Sequence, residues 1–218
     1  ALLNHPGLNK DVAVCRVRDP HQAHLMAGYA VHEVVHFERE FPQMARNQVA
    51  ANWDPLPIRA PADLKVVVLG NGSMGWPLCV PLWRWDLRYP LPVAVRQNVV
   101  INTLPLTTHT ENVLNANLFS RLAKGAWLVQ IGRGEHLAEA DFIAALESGQ
   151  LSGATLDVFR AEPLPADHPF WQDQRLRITP HIASDTMPHI VSEQVLLSAR
   201  ELLAGAPLSL SVNPAQGY

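Results

Sequence analysis

An open, doubly wound α/β sheet is the fold this sequence predicts, and three observations predict it. From residue 64 onward, short β-branched and apolar runs recur: LKVVVLG at 64–70, NVVINTLP from Asn98, GAWLVQIG from Gly125, GATLDVF from Gly153 and LRITPHI from Leu176. The first of them is a continuous β-branched run rather than an alternating one, as expected of a strand buried on both faces of a parallel sheet. Helical patterns lie between them, the clearest at 139–148, where Gly149 follows as a C-terminal cap. Strands that alternate with helices are the pattern of right-handed crossovers in an α/β sheet.

The bulk composition narrows the function classes. A chain of 218 residues can bury a substantial core in one large domain or two small ones. Its 48% hydrophobic and 17% charged residues are those of a globular protein. A net charge of −3 without a basic run argues against nucleic acid as a partner. No apolar run reaches the roughly 20 residues of a membrane helix, and no signal-peptide pattern opens the chain. Cys15 and Cys79 have no metal or redox spacing and read as reduced thiols, so the expected location is the cytoplasm. The start at Ala1 rather than Met reads as a processed or shortened N-terminus.

Taken in order, residues 1–20 read as irregular, with a short apolar run at 12–17. A long helix begins at about Gln22, because Ala27, Ala30, Val31, Val34 and Val35 form one stripe at helical spacing. Residues 52–64 are Pro-rich and polar and read as a linker. After the strand and helix alternation, a last helix spans about 188–204 and ends at Gly205. The first helix also contains His32-Glu33-Val34-Val35-His36, the H-E-x-x-H pattern in which two histidines grip zinc and the Glu activates water. A zinc hydrolase needs a third protein ligand, yet no Glu occurs between Glu40 and Glu111 and no extended form of the motif is present. His32 and His36 also project away from the apolar stripe. The stretch is expected to be structural, and no metal is expected.

Directly after the first strand comes Gly70-Asn71-Gly72-Ser73-Met74-Gly75, a G-x-G-x-x-G. Gly70 permits a tight turn, Gly72 lets a pyrophosphate approach the backbone, and Gly75 lets the next helix pack closely. The helix N-terminus then faces the phosphates. Its place behind a buried-type strand favours dinucleotide binding over a chance glycine turn. The following stretch is unusual, because Pro77, Pro81, Pro90 and Pro92 leave scarcely room for a helix and a second strand before Asn98. Asp86 comes too early for the acidic ribose ligand, and Arg88 or Arg96 could meet a 2′-phosphate or lie in solvent.

Three segments then converge at strand ends. Arg133 follows LVQIG, Asp157 lies in LDVF with Glu162 just beyond, and His181 follows LRITP. The carboxyl ends of strands line the ligand crevice of such a sheet. The set suits a 2-oxo acid: Arg133 offers a guanidinium fork to a carboxylate or carbonyl oxygen. His181 can donate a proton as hydride reaches the carbon, and Glu162 can hold the imidazole and favour its charged form. Each has a plain alternative, namely a surface cation, a solvated turn residue and a packed histidine, but the three lie beside a dinucleotide loop.

From about Leu3 onward the chain resembles the D-isomer-specific 2-hydroxyacid dehydrogenases, most closely their bacterial glyoxylate/hydroxypyruvate reductase A branch. The resemblance runs through YAVHEVVHF, WDPLP, VVVLGNGSMG, INTLPLTTHTENVLN, IGRGEHL, ALESGQLSGATLDVFRAEPLP, HPFW, ITPHIAS and the final GY. It implies a Rossmann nucleotide domain at 57–183 with a remnant of a flavodoxin-like substrate domain. The remnant would comprise 1–56, with the long interdomain helix, and 184–218, whose helix returns to it. Arg133, Glu162 and His181 would be the catalytic set. Ser73, Met74, Leu104, Pro105, Thr110, Ile131, Gly132, Arg133 and Asp157, with the loop glycines, would touch the dinucleotide, NADP or NAD. The substrate would be a small 2-oxo acid and the assembly a homodimer. Two departures stand out: the first half of the substrate domain, with its carboxylate-holding glycine loop, and the cofactor-selecting strand after Gly75 are missing. The family also includes NAD(H)-sensing corepressors, so a binding protein without turnover is the alternative. It includes formate dehydrogenases too, but these carry Gln where this chain has Glu162.

Overall fold

Valine and isoleucine are stiff at χ1 and favour extended backbone, and the strands form where they are densest. The computed structural model describes residues 7, 9, 12–58, 60–70, 72, 75, 86–88 and 98–212. Within these, the strands are β1 (Lys65–Leu69), β2 (Asp86–Arg88), β3 (Val99–Asn102), β4 (Ala126–Gln130), β5 (Leu151–Leu156) and β6 (Leu176–Ile178). All pair in parallel, in the order β2-β1-β3-β4-β5-β6. The chain leaves β1 on one side for β2 and returns on the other side for β3. Open α/β sheets bind ligands at such a reversal, outside the carboxyl ends of the strands.

Side chains alternate across a strand, so each run of valines serves two cores at once. Val66, Val68, Val99, Ile101, Trp127 and Val129 face one side, where α1 (Pro20–Glu38) covers them with Met26, Ala27, Ala30 and Val34. Val67, Val100, Ala126 and Leu128 face the other, against Phe119 of α3 (Ala116–Phe119) and Phe142, Ala145 and Leu146 of α4 (Glu139–Glu147). Helices on both faces make the sheet doubly wound, as the continuous apolar runs predict. Among the described residues no helix is long and apolar enough to cross a membrane.

Two elements differ from the sequence expectation. The first helix ends at Glu38, because Glu40 takes a left-handed conformation (φ 54°), and a separate α2 (Phe41–Val49) follows with Pro42 in its first turn. Proline is harmless there, since the first N–H groups of a helix have no intrahelical acceptor. The stretch between Gly75 and Asn98 does hold a strand, although the sequence leaves scarcely room there for both a helix and a strand. β2 needs only three residues, paired from Lys65 with Asp86 to Val67 with Arg88. Asp86 therefore opens β2, at the amino end of the sheet and away from the crevice. Pro77, Pro81, Pro90, Pro92 and Arg96 lie outside the described residues.

The chain forms two compact units, residues 1–22 with 185–218, and residues 23–184. In the first, Val14 to Arg16 run antiparallel to Leu210 to Val212, with a bridge between Cys15 and Ser211. The Asp19 carboxylate accepts from the N–H of His21, in the first turn of α1, and of Met187, just before α5 (Pro188–Leu203). It thus supplies helix-start groups with an acceptor they would otherwise lack. These bonds, with Met187's the largest influence, hold the Asp19 carboxyl below its ordinary value. In the second unit the sheet carries the expected site residues.

The H-E-x-x-H stretch also belongs to the second unit. Glu33 is fully buried and turned into the sheet. Its carboxylate accepts from Thr155 Oγ1 at 2.5 Å, lies 2.7 Å from His32 Nδ1 and pairs with Arg177 Nε at 3.1 Å. A carboxylate committed in this way ties α1 to β5 and β6, as a structural residue does.

Candidate active site

The glycine loop opens where the sheet reverses. Gly70 ends β1 with φ 109°, a conformation that a side chain would strain. A Cβ there would also lie 2.8 Å from Thr103 Oγ1, because the turn after β3 packs against it. Thr103 secures that approach by donating its N–H (2.9 Å) and its hydroxyl (3.0 Å) to the Leu69 carbonyl. A Cβ on Gly75 would meet the Gly70 carbonyl, so Gly75 is needed for the turn to close. Gly72 is exposed with nothing within 4 Å of an added Cβ, which leaves its backbone open to an incoming phosphate. Ser73 and Met74 lie outside the described residues.

The next turns bring further expected residues to the same rim. Leu104 and Pro105 follow β3, and Thr110 fixes that loop by donating to the Pro105 carbonyl at 2.7 Å and accepting from Thr107 N–H at 2.8 Å. Ile131 and Gly132 continue β4 and are buried, so Gly132 offers backbone rather than side chain. Arg133 comes next and is exposed, its Nη1 donating to the Gly132 carbonyl at 2.6 Å.

β5 and β6 contribute the other two members of the set. Glu162 Oε1 accepts from Phe159 N–H at 2.8 Å, and Oε2 lies 2.7 Å from His181 Nδ1. Burial raises the Glu162 pKa, but the hydrogen bonds from His181 and Phe159 and the charges of His181 and Arg133 outweigh it, and the net shift is downward. The carboxyl therefore stays ionised and holds the Nδ1–H of the ring. His181 presents Nε2 on its other edge.

Asp157 has a role beyond the one its position suggested. It is buried, and its carboxylate accepts from Thr179 Oγ1 (2.5 Å) and from the N–H groups of Ile182 and Ala183 (2.9 Å each). Its own carbonyl accepts from His181 N–H at 2.9 Å. Asp157 thus holds the backbone of the histidine and of the two residues after it, and the Thr179 hydroxyl before it. Thr179 in turn meets Tyr29 of α1 at 2.6 Å, and burial pushes the Tyr29 phenol up and keeps it neutral. Sequence reasoning missed Tyr29 and Thr179, and it missed Asn102, Gln130 and His136, which lie buried beneath the Arg133 turn. A lone amide closing an otherwise apolar strand, as in VVIN and WLVQ, was the available signal.

A reversed parallel sheet with a glycine loop at its switch point, and an Arg, Glu and His on neighbouring strand ends, defines a nucleotide-dependent oxidoreductase. The comparisons give the family. The family model for the D-isomer specific 2-hydroxyacid dehydrogenase NAD binding domain matches residues 92–183. A D-isomer specific 2-hydroxyacid dehydrogenase from Xanthobacter autotrophicus Py2, solved with NADPH and MES, is 33% identical with a TM-score of 0.88, over 100% of this chain and 98% of that one. A family member from Klebsiella pneumoniae 342 is 37% identical with a TM-score of 0.86, over 94% of this chain and 73% of that one. An NADPH-dependent glyoxylate/hydroxypyruvate reductase from Sinorhizobium meliloti, with NADP and sulfate, is 26% identical with a TM-score of 0.88, over 100% and 76%. This chain belongs to the D-isomer specific 2-hydroxyacid dehydrogenases, NAD(P)-dependent oxidoreductases that act on small 2-hydroxy or 2-oxo acids. Its cofactor is NADP or NAD, and the open backbone at Gly72 and the tight Gly70–Thr103 approach fit such a group.

Proposed function

We propose that the protein reduces a small 2-oxo acid, glyoxylate or hydroxypyruvate, to the 2-hydroxy acid with NADPH or NADH, and that His181 is the proton donor. The observation that carries this reading is the 2.7 Å contact between His181 Nδ1 and Glu162 Oε2 beside Arg133. With Nδ1–H held by the carboxylate, Nε2 is the nitrogen left to give a proton to the substrate oxygen. Glu162 orients the ring for that transfer, and Arg133 offers two parallel donors to the substrate carboxylate. NADPH or NADH, when bound, supplies the hydride to the carbonyl carbon. Gly70, Gly72, Ser73, Met74, Gly75, Leu104, Pro105, Thr110, Ile131, Gly132 and Asp157 would hold it along the strand ends. The likeness to the Sinorhizobium meliloti reductase supports the choice of substrate.

The same resemblance makes a homodimer the expected working form, and the reduced thiols Cys15 and Cys79 make the cytoplasm its expected location. Val49 and Trp53, 91% and 97% exposed, offer apolar surface for a second copy. The reading is tested by following 340 nm absorbance with NADPH and, separately, NADH against glyoxylate, hydroxypyruvate and pyruvate. His181→Gln should lower turnover by about a hundredfold to ten-thousandfold, the range for loss of a general acid. A wild-type protein that binds the cofactor but turns over none of the three acids would instead be a corepressor-like sensor.

A further inference from the structure

Asn102, Gln130 and His136 are each 0% exposed, and all three lie under the turn that carries Arg133. Buried polar side chains are retained only where hydrogen bonds offset their lost hydration. Here those bonds converge on one residue. The Arg133 N–H donates to His136 Nδ1 at 3.0 Å, and the Arg133 carbonyl accepts from Gln130 Nε2 at 2.8 Å. Both main-chain polar groups of Arg133 are thus held from behind by buried side chains. Gln130 Oε1 also accepts from Gly132 N–H at 3.3 Å.

Asn102 joins the two. Its Nδ2 donates to Gln130 Oε1 at 2.7 Å and lies 3.0 Å from His136 Nδ1, while its Oδ1 accepts from Leu104 N–H at 3.2 Å. His136 Nε2 faces the Pro105 carbonyl at 3.4 Å. The turn at 103–105 and the turn at 131–133 therefore share one support. A Cβ on Gly132 would come within 2.8 Å of Asn102 Nδ2 and 2.9 Å of His136 Nδ1, so the support packs flush against this backbone.

The donors fix the form of the histidine. Nδ1 faces two N–H groups and must accept, so the ring proton sits on Nε2 and points at the Pro105 carbonyl. Burial, the largest influence, lowers the pKa of His136 and keeps the ring neutral. A charged ring would set its own N–H against that of Arg133.

We propose that His136 and Gln130 are positioning residues for the reaction, clamping the main chain of Arg133 so that its exposed guanidinium meets the substrate in one orientation. This rests on the role proposed above for Arg133. A long side chain on a loose turn would sample many poses, and misplacement by about 1 Å costs on the order of a hundredfold in rate.

The test is steady-state kinetics with glyoxylate on the wild type, His136→Leu and His136→Asn, with long-range proton–nitrogen spectra of the wild-type histidines. Leucine keeps the bulk and removes the acceptor, whereas the Asn Oδ1 can take the place of Nδ1. His136→Leu should raise KM for the 2-oxo acid by about tenfold or more with a smaller change in kcat. His136→Asn should recover most of that loss, and the spectra should show the Nε2–H form of His136. Gln130→Met, which removes the other half of the clamp, should raise KM in the same direction and carries the test if His136→Leu does not fold. Wild-type KM in His136→Leu or Gln130→Met, an Asn variant no better than Leu, or an Nδ1–H ring would overturn the proposal. A wild type without turnover would count against the proposed function, and the spectra would then judge the clamp alone. A wild type matched in turnover by His136→Leu would sink only the clamp.

Discussion

His181 sits in the left-handed backbone region (φ 55°), where a residue with a Cβ is uncommon. Its N–H donates to the Asp157 and Thr179 carbonyls, and the Asp157 carboxylate holds the two residues that follow. These bonds offset the strain of a conformation that places the ring against Glu162. The pair has a consequence for stability. Because the folded pKa of Glu162 lies below its ordinary value of 4.5, the carboxyl stabilises the fold fully above that value. This contribution fades as pH falls through the depressed folded pKa. A melting-temperature series of wild type and Glu162→Gln should therefore show a wild-type advantage at neutral pH that narrows below about pH 4.5 and disappears in stronger acid. A gap that stays constant across the acid range would contradict this sign.

At the scale of elements, α1 is joined to the sheet by polar bonds as well as by its apolar stripe. Glu33, Thr155 and Trp127 form a chain, since the Thr155 hydroxyl donates to Glu33 at 2.5 Å and accepts from Trp127 Nε1 at 3.3 Å. Thr155→Val keeps the shape and removes both bonds, leaving a buried carboxylate short of one donor. The expected loss is about 1–3 kcal/mol by urea denaturation. A change within a few tenths of this unit would mean that Glu33 finds another donor. The helix was legible in Ala27, Ala30 and Val34, whose spacing alone declares a buried face. The orientation of Glu33 was not, because H-E-x-x-H reads alike whether its Glu points at a metal or into a sheet.

For the whole molecule, the reversal of strand order joins distant pieces of sequence into one crevice. A ligand that binds only the folded crevice must stabilise it. Free NADPH at a hundred times its Kd adds about 2.7 kcal/mol. For a chain of this size that raises Tm by roughly 5–10 °C. Thermal shift with NADPH and NADH at matched concentrations should show the larger rise for the preferred cofactor. The absence of any shift with both, in protein that melts cooperatively, would contradict the cofactor assignment.

The sequence by itself determined the fold class and most of the candidate site. Short valine runs bounded by turn residues read as strands covered on both faces, a G-x-G-x-x-G behind such a strand reads as a phosphate turn, and residues just after strand ends fall on the crevice side of a parallel sheet. Arg133, Glu162 and His181 were legible for that reason. Pairing partners were not, because they depend on which strands become neighbours. Nothing local to His136 says that its ring lies beneath Arg133 and Asn102, or that Asp157 grips the loop of His181. Nor does anything local to β2 say that three residues are enough to pair with β1. Those contacts exist only once β3, β4, β5 and β6 lie side by side and the helices have closed over them, because burial makes an unpaired polar group costly and so selects the partner.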